Sequence, residues 1–305
     1  MKTPDLSVQL GRLKLSNPVM VASGTFGYGA EYADLIDVRR LGAIVVKGIR
    51  LNAWEGNRTP RMVEVPGGLI NAIGLQGPGV DGFVETYMPF LRTTGVPTIV
   101  NIWGTSIEEY GTVAARFDDV PGIDALEINV SCPNVKEGGA SFGADPQRMA
   151  EVVATVRRNT SLPLLTKLAP NVPDIRPFAK AAEDAGSDIL SISNTIPAMV
   201  IDTETRRPVL ANRVGGLSGS AIHPVAVKLV WEAAQVVRIP IVGMGGIMQP
   251  EDAIEFLIAG ADAVAVGTAN FIDPTTPLRV IDGIADYLRR HDFPRVADLT
   301  GSIQT

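Results

Sequence analysis

The chain has 305 residues, of which 46% are hydrophobic and 20% charged, and its net charge is -6 at pH 7. This composition is typical of a soluble globular protein and excludes a disordered or fibrous chain. The acidic balance argues against a general affinity for nucleic acid or anionic membranes. Because no apolar run reaches the length of a spanning helix and the first residues lack the apolar stretch of a signal peptide, we expect a cytoplasmic protein that acts on a small molecule.

Eight short apolar runs alternate with amphipathic helical patterns along the chain. One helix is predicted to start at Pro146 with Asp145 as its cap, and another to start at Pro250 and end at Gly260. This alternation indicates an α/β fold, a (β/α)8 TIM barrel, with residues 1–305 as a single domain. An open, doubly wound sheet is the alternative, but no dinucleotide fingerprint supports it. The predicted strands are residues 18–22, 43–47, 98–102, 125–130, 164–168, 189–193, 241–243 and 263–267.

Three further segments are predicted to form hairpins. Residues 8–15, with Gly11 in the middle, form an N-terminal hairpin that closes the far end of the barrel. Two connections at the C-terminal face are too long for simple loops, and each is predicted to contain an inserted hairpin. Their strands are residues 61–65 with 69–72, and residues 199–202 with 208–210. Structured loops on this face usually cover a ligand or a partner.

The one cysteine, Cys132, follows the fourth predicted strand and lies between Asn129 and Asn134. Catalytic groups of such barrels stand at the C-terminal ends of strands. A lone cysteine is nevertheless more often a small buried hydrophobic residue, so both interpretations stay open. One cysteine and two histidines are not spaced as ligands of zinc or of an iron-sulfur cluster, and we expect no metal site in this chain.

Glycines follow the seventh and eighth strands, at Gly245, Gly246 and Gly267. Backbone N–H groups at these two strand ends commonly bind a phosphate, and Gly219 could add a third backbone contact. A phosphorylated substrate and the phosphate of a flavin both fit this pattern.

Two lysines, Lys47 and Lys167, stand inside apolar strands. Each alone could be part of a buried ion pair, because an unpaired buried ammonium is costly. Together they suggest a delocalised anion at the barrel mouth, such as a reduced flavin ring. Asparagines at neighbouring strand ends suit a ring that carries both carbonyl and N–H groups.

The motifs make the chain resemble the class 1 dihydroorotate dehydrogenases over nearly all 305 residues, and most closely subclass 1B. They are Ala22-Ser23-Gly24-Thr25, Lys47-Gly48, Asn71-Ala72-Ile73-Gly74-Leu75-Gln76-Gly77-Pro78-Gly79, Asn129-Val130-Ser131-Cys132-Pro133-Asn134, Lys167, Ser193-Asn194-Thr195, Gly215-Gly216-Leu217-Ser218-Gly219, Gly245-Gly246 and Gly267-Thr268.

The resemblance implies FMN-dependent oxidation of dihydroorotate to orotate in de novo pyrimidine (UMP) synthesis, with Cys132 as the base that removes the C5 proton. It implies FMN contacts from Ser23, Lys47, Gly48, Asn101, Asn129, Lys167, Ser193, Gly219, Gly245, Gly246, Gly267 and Thr268. It implies substrate contacts from Lys47, Asn71, Ala72, Ile73, Gly74, Leu75, Asn129, Asn194 and Thr195.

Subclass 1B also implies a partner. Its members form heterotetramers of two catalytic chains and two subunits that carry FAD and an iron-sulfur cluster and pass electrons to NAD. A subclass 1A-like homodimer that uses fumarate is one alternative. Another is an FMN barrel that acts on a different uracil-like ring, and a third is a phosphate-binding barrel without flavin.

Overall fold

The computed structural model describes residues 3–130 and 142–304, and eight parallel strands form a closed barrel in which neighbours follow chain order. The predicted (β/α)8 barrel is therefore confirmed. We call its strands barrel strands 1 to 8, and their C-terminal ends form the mouth. They are Val19–Val21, Ala43–Ile49, Thr98–Ile102, Ala125–Asn129, Leu164–Lys167, Ile189–Ile192, Ile241–Met244 and Ala263–Val266.

Helices surround the barrel, and buried aliphatic side chains on their inner faces join one large core. The carboxylate of Asp145 accepts hydrogen bonds from the backbone N–H groups of Gln147 and Arg148, which confirms the predicted cap. Gly260, with φ of 120°, ends the helix that starts at Pro250, also as predicted. The α-helices are Gly79–Thr86, Met88–Thr94, Ile107–Asp118, Pro146–Asn159, Arg176–Asp184, His223–Ala234, Pro250–Ala259, Ala269–Ile272 and Thr276–Arg290.

The connection between barrel strands 1 and 2 departs from the regular alternation. It forms two 3-10 turns, Ala30–Tyr32 and Val38–Arg40, instead of an α-helix. Gly24, Gly27 and Gly29 all adopt positive φ there, and such residues interrupt a helix. The regular alternation of barrel strand and α-helix therefore begins only at barrel strand 2.

The N-terminal hairpin is present, with Val8–Leu10 paired to Leu13–Leu15 around Gly11. Arg12 donates a hydrogen bond to the carbonyl oxygen of Ser161, just before barrel strand 5. The hairpin therefore covers the end of the barrel opposite the mouth.

The two inserted segments differ from the prediction of two separate hairpins. They join into one antiparallel sheet, here called the insertion sheet, around a small core of Ile70, Ala72 and Leu210. The second predicted hairpin shrinks to two-residue strands, Ile201–Asp202 and Arg207–Pro208. The strands of the insertion sheet, in spatial order, are Ile196–Ala198, Gly215–Ser218, Gly68–Asn71 and Met62–Val65.

Carboxylates at the end opposite the mouth hold the starts of three barrel strands. Asp124 accepts a hydrogen bond from the backbone N–H of Thr98, and Asp262 accepts one from Ile241 at 2.9 Å. Asp188 accepts one from Leu164 and also pairs with Arg157. Burial raises the pKa of Asp124 and of Asp262 above the ordinary value of 3.8.

We predict that Asp262→Ala lowers the free energy of unfolding by about 1–3 kcal/mol, because the N–H of Ile241 loses its acceptor. Asp262→Asn keeps an acceptor oxygen and is the matched control. Since folding raises the pKa of Asp262, this carboxyl favours the folded state below pH 3.8, and that contribution is lost as pH rises through the raised pKa. Urea unfolding at several pH values should show that the free energy of unfolding depends less on pH in Asp262→Asn than in the wild type. An equal pH dependence in the two proteins would contradict this role of Asp262.

Candidate active site

Polar side chains from barrel strands 3, 4 and 5 meet inside the barrel near the mouth. In the strand register Asn101 lies beside Glu127, and Asn129 lies beside Lys167. Nδ2 of Asn101 donates a hydrogen bond to Oε1 of Glu127 at 2.6 Å, and Nζ of Lys167 is 3.8 Å from the same oxygen. All four residues are buried. The structure thus brings together three predicted site residues and adds Glu127.

Sequence reasoning missed Glu127, although the signal was present. Glu127 is a charged residue inside an apolar strand, which is the same feature that singled out Lys47 and Lys167. Its neighbours offset the cost of burial only in part, because Oε2 has no hydrogen-bond partner among the described residues.

Other buried polar atoms near this group also lack partners. Oδ1 of Asn101 and Oγ of Ser191, on barrel strand 6, are buried and have no hydrogen bond within the part of the chain that the structure describes. Gly48 closes over the first of these atoms, since a Cβ at this position would stand 2.9 Å from Oδ1 of Asn101. Buried polar groups are normally satisfied, so these oxygens fit a site that receives a polar ligand.

Lys47 stands on barrel strand 2, next to Gly48. Its pKa is lowered mainly by burial and further by the positive charge of Arg61, while Glu31 acts in the opposite direction. A bound anion would restore the ammonium form and gain energy from it.

The residues expected to hold a substrate are joined across barrel strands 4 and 6 and the insertion sheet. Nδ2 of Asn194 lies 3.4 Å from Oδ1 of Asn129, and the backbone N–H of Thr195 donates to Oδ1 of Asn194 at 2.8 Å. Nδ2 of Asn71 lies 3.4 Å from the carbonyl oxygen of Gly216. The insertion sheet therefore carries Asn71 toward barrel strand 6.

The loop that follows Asn71 is held from outside by residues 54–57. Asn57 donates from Nδ2 to the carbonyl oxygen of Ala72 and from its backbone N–H to that of Ile73, both at 2.9 Å. Nε1 of Trp54 donates to the carbonyl oxygen of Gly74 at 3.0 Å. Trp54, which had no predicted role, thus supports this loop.

The far side of the loop carries backbone strain. Leu75 adopts a φ of 57°, a backbone conformation that residues other than glycine rarely adopt. Arg50 lies over the rings of both Trp54 and Trp103 and pairs with Glu109 at 2.8 Å. These contacts fix the loop between barrel strand 2 and the insertion sheet.

Glycines at the ends of barrel strands 7 and 8 form a cradle of backbone with the end of the insertion sheet. A Cβ on Gly246 would stand 2.8 Å from the carbonyl oxygen of Gly219, and both glycines have positive φ. Oγ1 of Thr268 donates to Oγ of Ser218 at 2.7 Å. Side chains are therefore excluded at Gly219 and Gly246, next to this Thr268–Ser218 pair, and such bare backbone suits contact with a phosphate.

His223, another residue without a predicted role, supports this cradle. Its Nδ1 lies 3.1 Å from the carbonyl oxygen of Gly245, and its Nε2 lies 3.1 Å from Oε2 of Glu255. His223 thus ties the cradle to the helix that starts at Pro250.

The remaining predicted residues have separate outcomes. Ser23 follows Ala22, whose Cβ is 3.7 Å from where a Cβ on Gly267 would stand, so both predicted positions lie at the same side of the mouth. Ser193 follows barrel strand 6, and its Oγ donates to the carbonyl oxygen of Asn194 at 3.2 Å. Cys132 lies outside the described residues, and its role stays a prediction.

Neither a metal centre nor a membrane-spanning helix is found in the described ranges. Within residues 3–130 and 142–304, no three His, Cys, Asp or Glu side chains are placed to hold a metal ion. Across the same residues, no helix combines the length and apolar character that crossing a membrane requires.

Comparison with known proteins places the chain in a family. Residues 5–288 match the family model for dihydroorotate dehydrogenase. Proteins named "Dihydroorotate dehydrogenase B (NAD(+)), catalytic subunit" from Geotalea daltonii and Geobacter sp. are 53% and 52% identical over 304 residues, with 100% of each chain covered. One of the same name from Desulforamulus reducens is 52% identical over 298 residues, with 98% of each chain covered. The chain therefore belongs to the dihydroorotate dehydrogenase family.

Proposed function

We propose that this chain oxidises dihydroorotate to orotate with FMN as its cofactor, in the de novo synthesis of pyrimidines. The observation that carries the proposal is the buried group of Asn101, Asn129 and Lys167 at the mouth, with unpartnered oxygens beside it. The names of the full-length relatives support the same activity.

The described residues fit FMN. Gly219 and Gly246 present backbone without side chains at the ends of the insertion sheet and of barrel strand 7, which suits a phosphate. Lys47 and Lys167 suit a ring that becomes anionic on reduction. When bound, FMN supplies the hydride acceptor. We propose that it is held by Ser23, Lys47, Gly48, Asn101, Asn129, Lys167, Ser193, Gly219, Gly245, Gly246, Gly267 and Thr268, within one domain of residues 1–305.

Dihydroorotate carries a carboxylate, two carbonyl groups and two N–H groups. The carboxamides of Asn71, Asn129 and Asn194 can both donate to and accept from such a ring, and the ammonium of Lys47 suits its carboxylate. We propose that Ala72, Ile73, Gly74, Leu75 and Thr195 complete the substrate site. The supports from Asn57 and Trp54 would hold this loop in place before the substrate arrives.

We propose Cys132 as the base that takes the proton from C5 of the substrate. The thiolate is the active form, and an unperturbed thiol has a pKa of about 8.5. The reaction should therefore become faster as pH rises to mildly alkaline values.

The first test is spectroscopic. We predict that the purified protein is yellow and that anaerobic dihydroorotate bleaches the flavin absorbance, because one addition tests cofactor, substrate and reaction together. Dihydrouracil, which lacks the carboxylate, is the matched control and should bleach it far more slowly. A colourless protein would favour a phosphate-binding barrel, and a yellow protein bleached only by dihydrouracil would favour another uracil-like substrate.

The second test addresses the base. We predict that Cys132→Ala stays folded and yellow but loses about 10²-fold or more in kcat, the usual effect of removing a general base. Stopped-flow bleaching of wild type and variant across pH 6 to 10 measures the loss, and the variant should also lose the alkaline rise. Full turnover by Cys132→Ala would refute the assignment.

We further propose a partner. The relatives are named as catalytic subunits of a NAD(+) enzyme, and the chain's one cysteine cannot itself bind an iron-sulfur cluster. We infer a cytoplasmic heterotetramer of two such chains and two subunits that carry FAD and an iron-sulfur cluster. Electrons would leave the FMN through those subunits to NAD.

The third test compares the isolated chain with the native assembly. We predict that the chain alone oxidises dihydroorotate with an artificial dye but does not reduce NAD, whereas protein purified from its native host contains a second chain and reduces NAD. Mass spectrometry and the iron content identify the partner. A native homodimer without iron that reduces fumarate would establish the 1A-like alternative instead.

A further inference from the structure

Glu127 is a fully buried carboxylate inside the barrel, with 0% of its surface exposed. It stands on barrel strand 4, two residues before Asn129, and therefore one layer deeper below the mouth. Burial of a carboxylate is costly unless it is paired and hydrogen-bonded. Oε1 faces Asn101 and Lys167, whereas Oε2 has no hydrogen-bond partner among residues 3–130 and 142–304. Such a group stabilises a fold poorly, which points to a role for Glu127 in the site.

Its first effect is on the orientation of Asn101. An ionised carboxylate only accepts hydrogen bonds, so the carboxamide of Asn101 must turn its NH2 group toward Glu127. Oδ1 of Asn101 is then left facing Gly48, where it is buried and has no hydrogen-bond partner in the two described ranges. Glu127 thereby fixes a buried hydrogen-bond acceptor beside Gly48, suited to an N–H of a bound ring.

Its second effect is on the charge of Lys167. Oε1 of Glu127 lies 3.8 Å from Nζ of Lys167, beyond hydrogen-bonding distance but close enough for a strong electrostatic interaction in a buried place. The ammonium of Lys167 attracts a negative charge on a group bound at the mouth, and the carboxylate of Glu127 repels it. The two charges together set the local potential at the mouth.

We propose that Glu127 is a positioning residue that tunes the FMN site: it orients Asn101 and limits how strongly Lys167 favours the reduced, anionic cofactor over the oxidised one. This inference rests on the proposed use of FMN. Two lysines without a carboxylate would hold the reduced cofactor tightly and make its electrons harder to pass on. Glu127 would offset that preference through Lys167 and Asn101.

The test measures the preference directly. Glu127→Gln keeps the side-chain size and an acceptor for Asn101 but removes the charge. We predict that the ratio of affinities for reduced and oxidised FMN rises by about tenfold, as expected for one charge removed from a partly screened site. For a two-electron couple this equals a rise of about 30 mV in the midpoint potential. Dithionite titration against a reference dye measures it without dihydroorotate.

The matched control is Asp188→Asn. It makes the same chemical change in another ion pair, with Arg157, at the opposite end of barrel strand 5, and should leave the ratio unchanged. An unchanged ratio in Glu127→Gln, or an equal rise in the control, would overturn the proposal.

A second pair of variants guards against misfolding, since Glu127→Gln leaves Lys167 buried beside a neutral group. Lys167→Gln is compared with the double variant Glu127→Gln/Lys167→Gln, in which both positions are neutral. The double variant should have a higher ratio of affinities for reduced and oxidised FMN than Lys167→Gln. Equal ratios in these two variants would contradict a role for Glu127. Wild-type protein that binds FMN but is not bleached by dihydroorotate would refute the proposed reaction alone, whereas wild type that binds no FMN would refute both.

Discussion

Closure of eight parallel strands is the constraint on which the rest of the molecule depends. Because all strands of the barrel run in one direction, their C-terminal ends meet at one mouth, and residues far apart in sequence become neighbours. Asn101, Asn129 and Lys167 come from three different βα units, yet the register places them in two adjacent layers. At the opposite end of the barrel, carboxylates such as Asp262 accept hydrogen bonds from the first residues of the strands. Groups that stabilise the fold and groups of the site therefore lie at different ends of the barrel.

Much of this arrangement could be predicted from the sequence because its signals are local. Apolar runs predicted the barrel strands, and Lys47 and Lys167 were identified as site residues because each stands inside such a run. Glu127 satisfied the same criterion, but it lacked a motif that drew attention to it. Trp54 and His223 could not be assigned, since both act on backbone carbonyl oxygens of distant loops, and no sequence pattern encodes such a contact.

The insertion sheet was beyond sequence reasoning for a different reason. Its strands have only three or four residues each, with a weak apolar pattern. The pairing of Gly68–Asn71 with Gly215–Ser218 joins residues 145 positions apart, such as Asn71 and Gly216. Local turn signals correctly predicted one hairpin, but a hairpin shows nothing about which third strand joins it. The missing helix between barrel strands 1 and 2 was more accessible, because its three glycines are visible in the sequence.

The insertion sheet also has a consequence for the way this mouth can change over time. One half of it grows from barrel strand 2 and the other from barrel strand 6, so neither half has a complete set of backbone partners alone. An exchange of either loop for that of a distant homologue would leave an unpaired edge beside Asn71. Successful chimaeras should therefore inherit both loops from one parent, and natural lengthening of one should be accompanied by compensating change in the other.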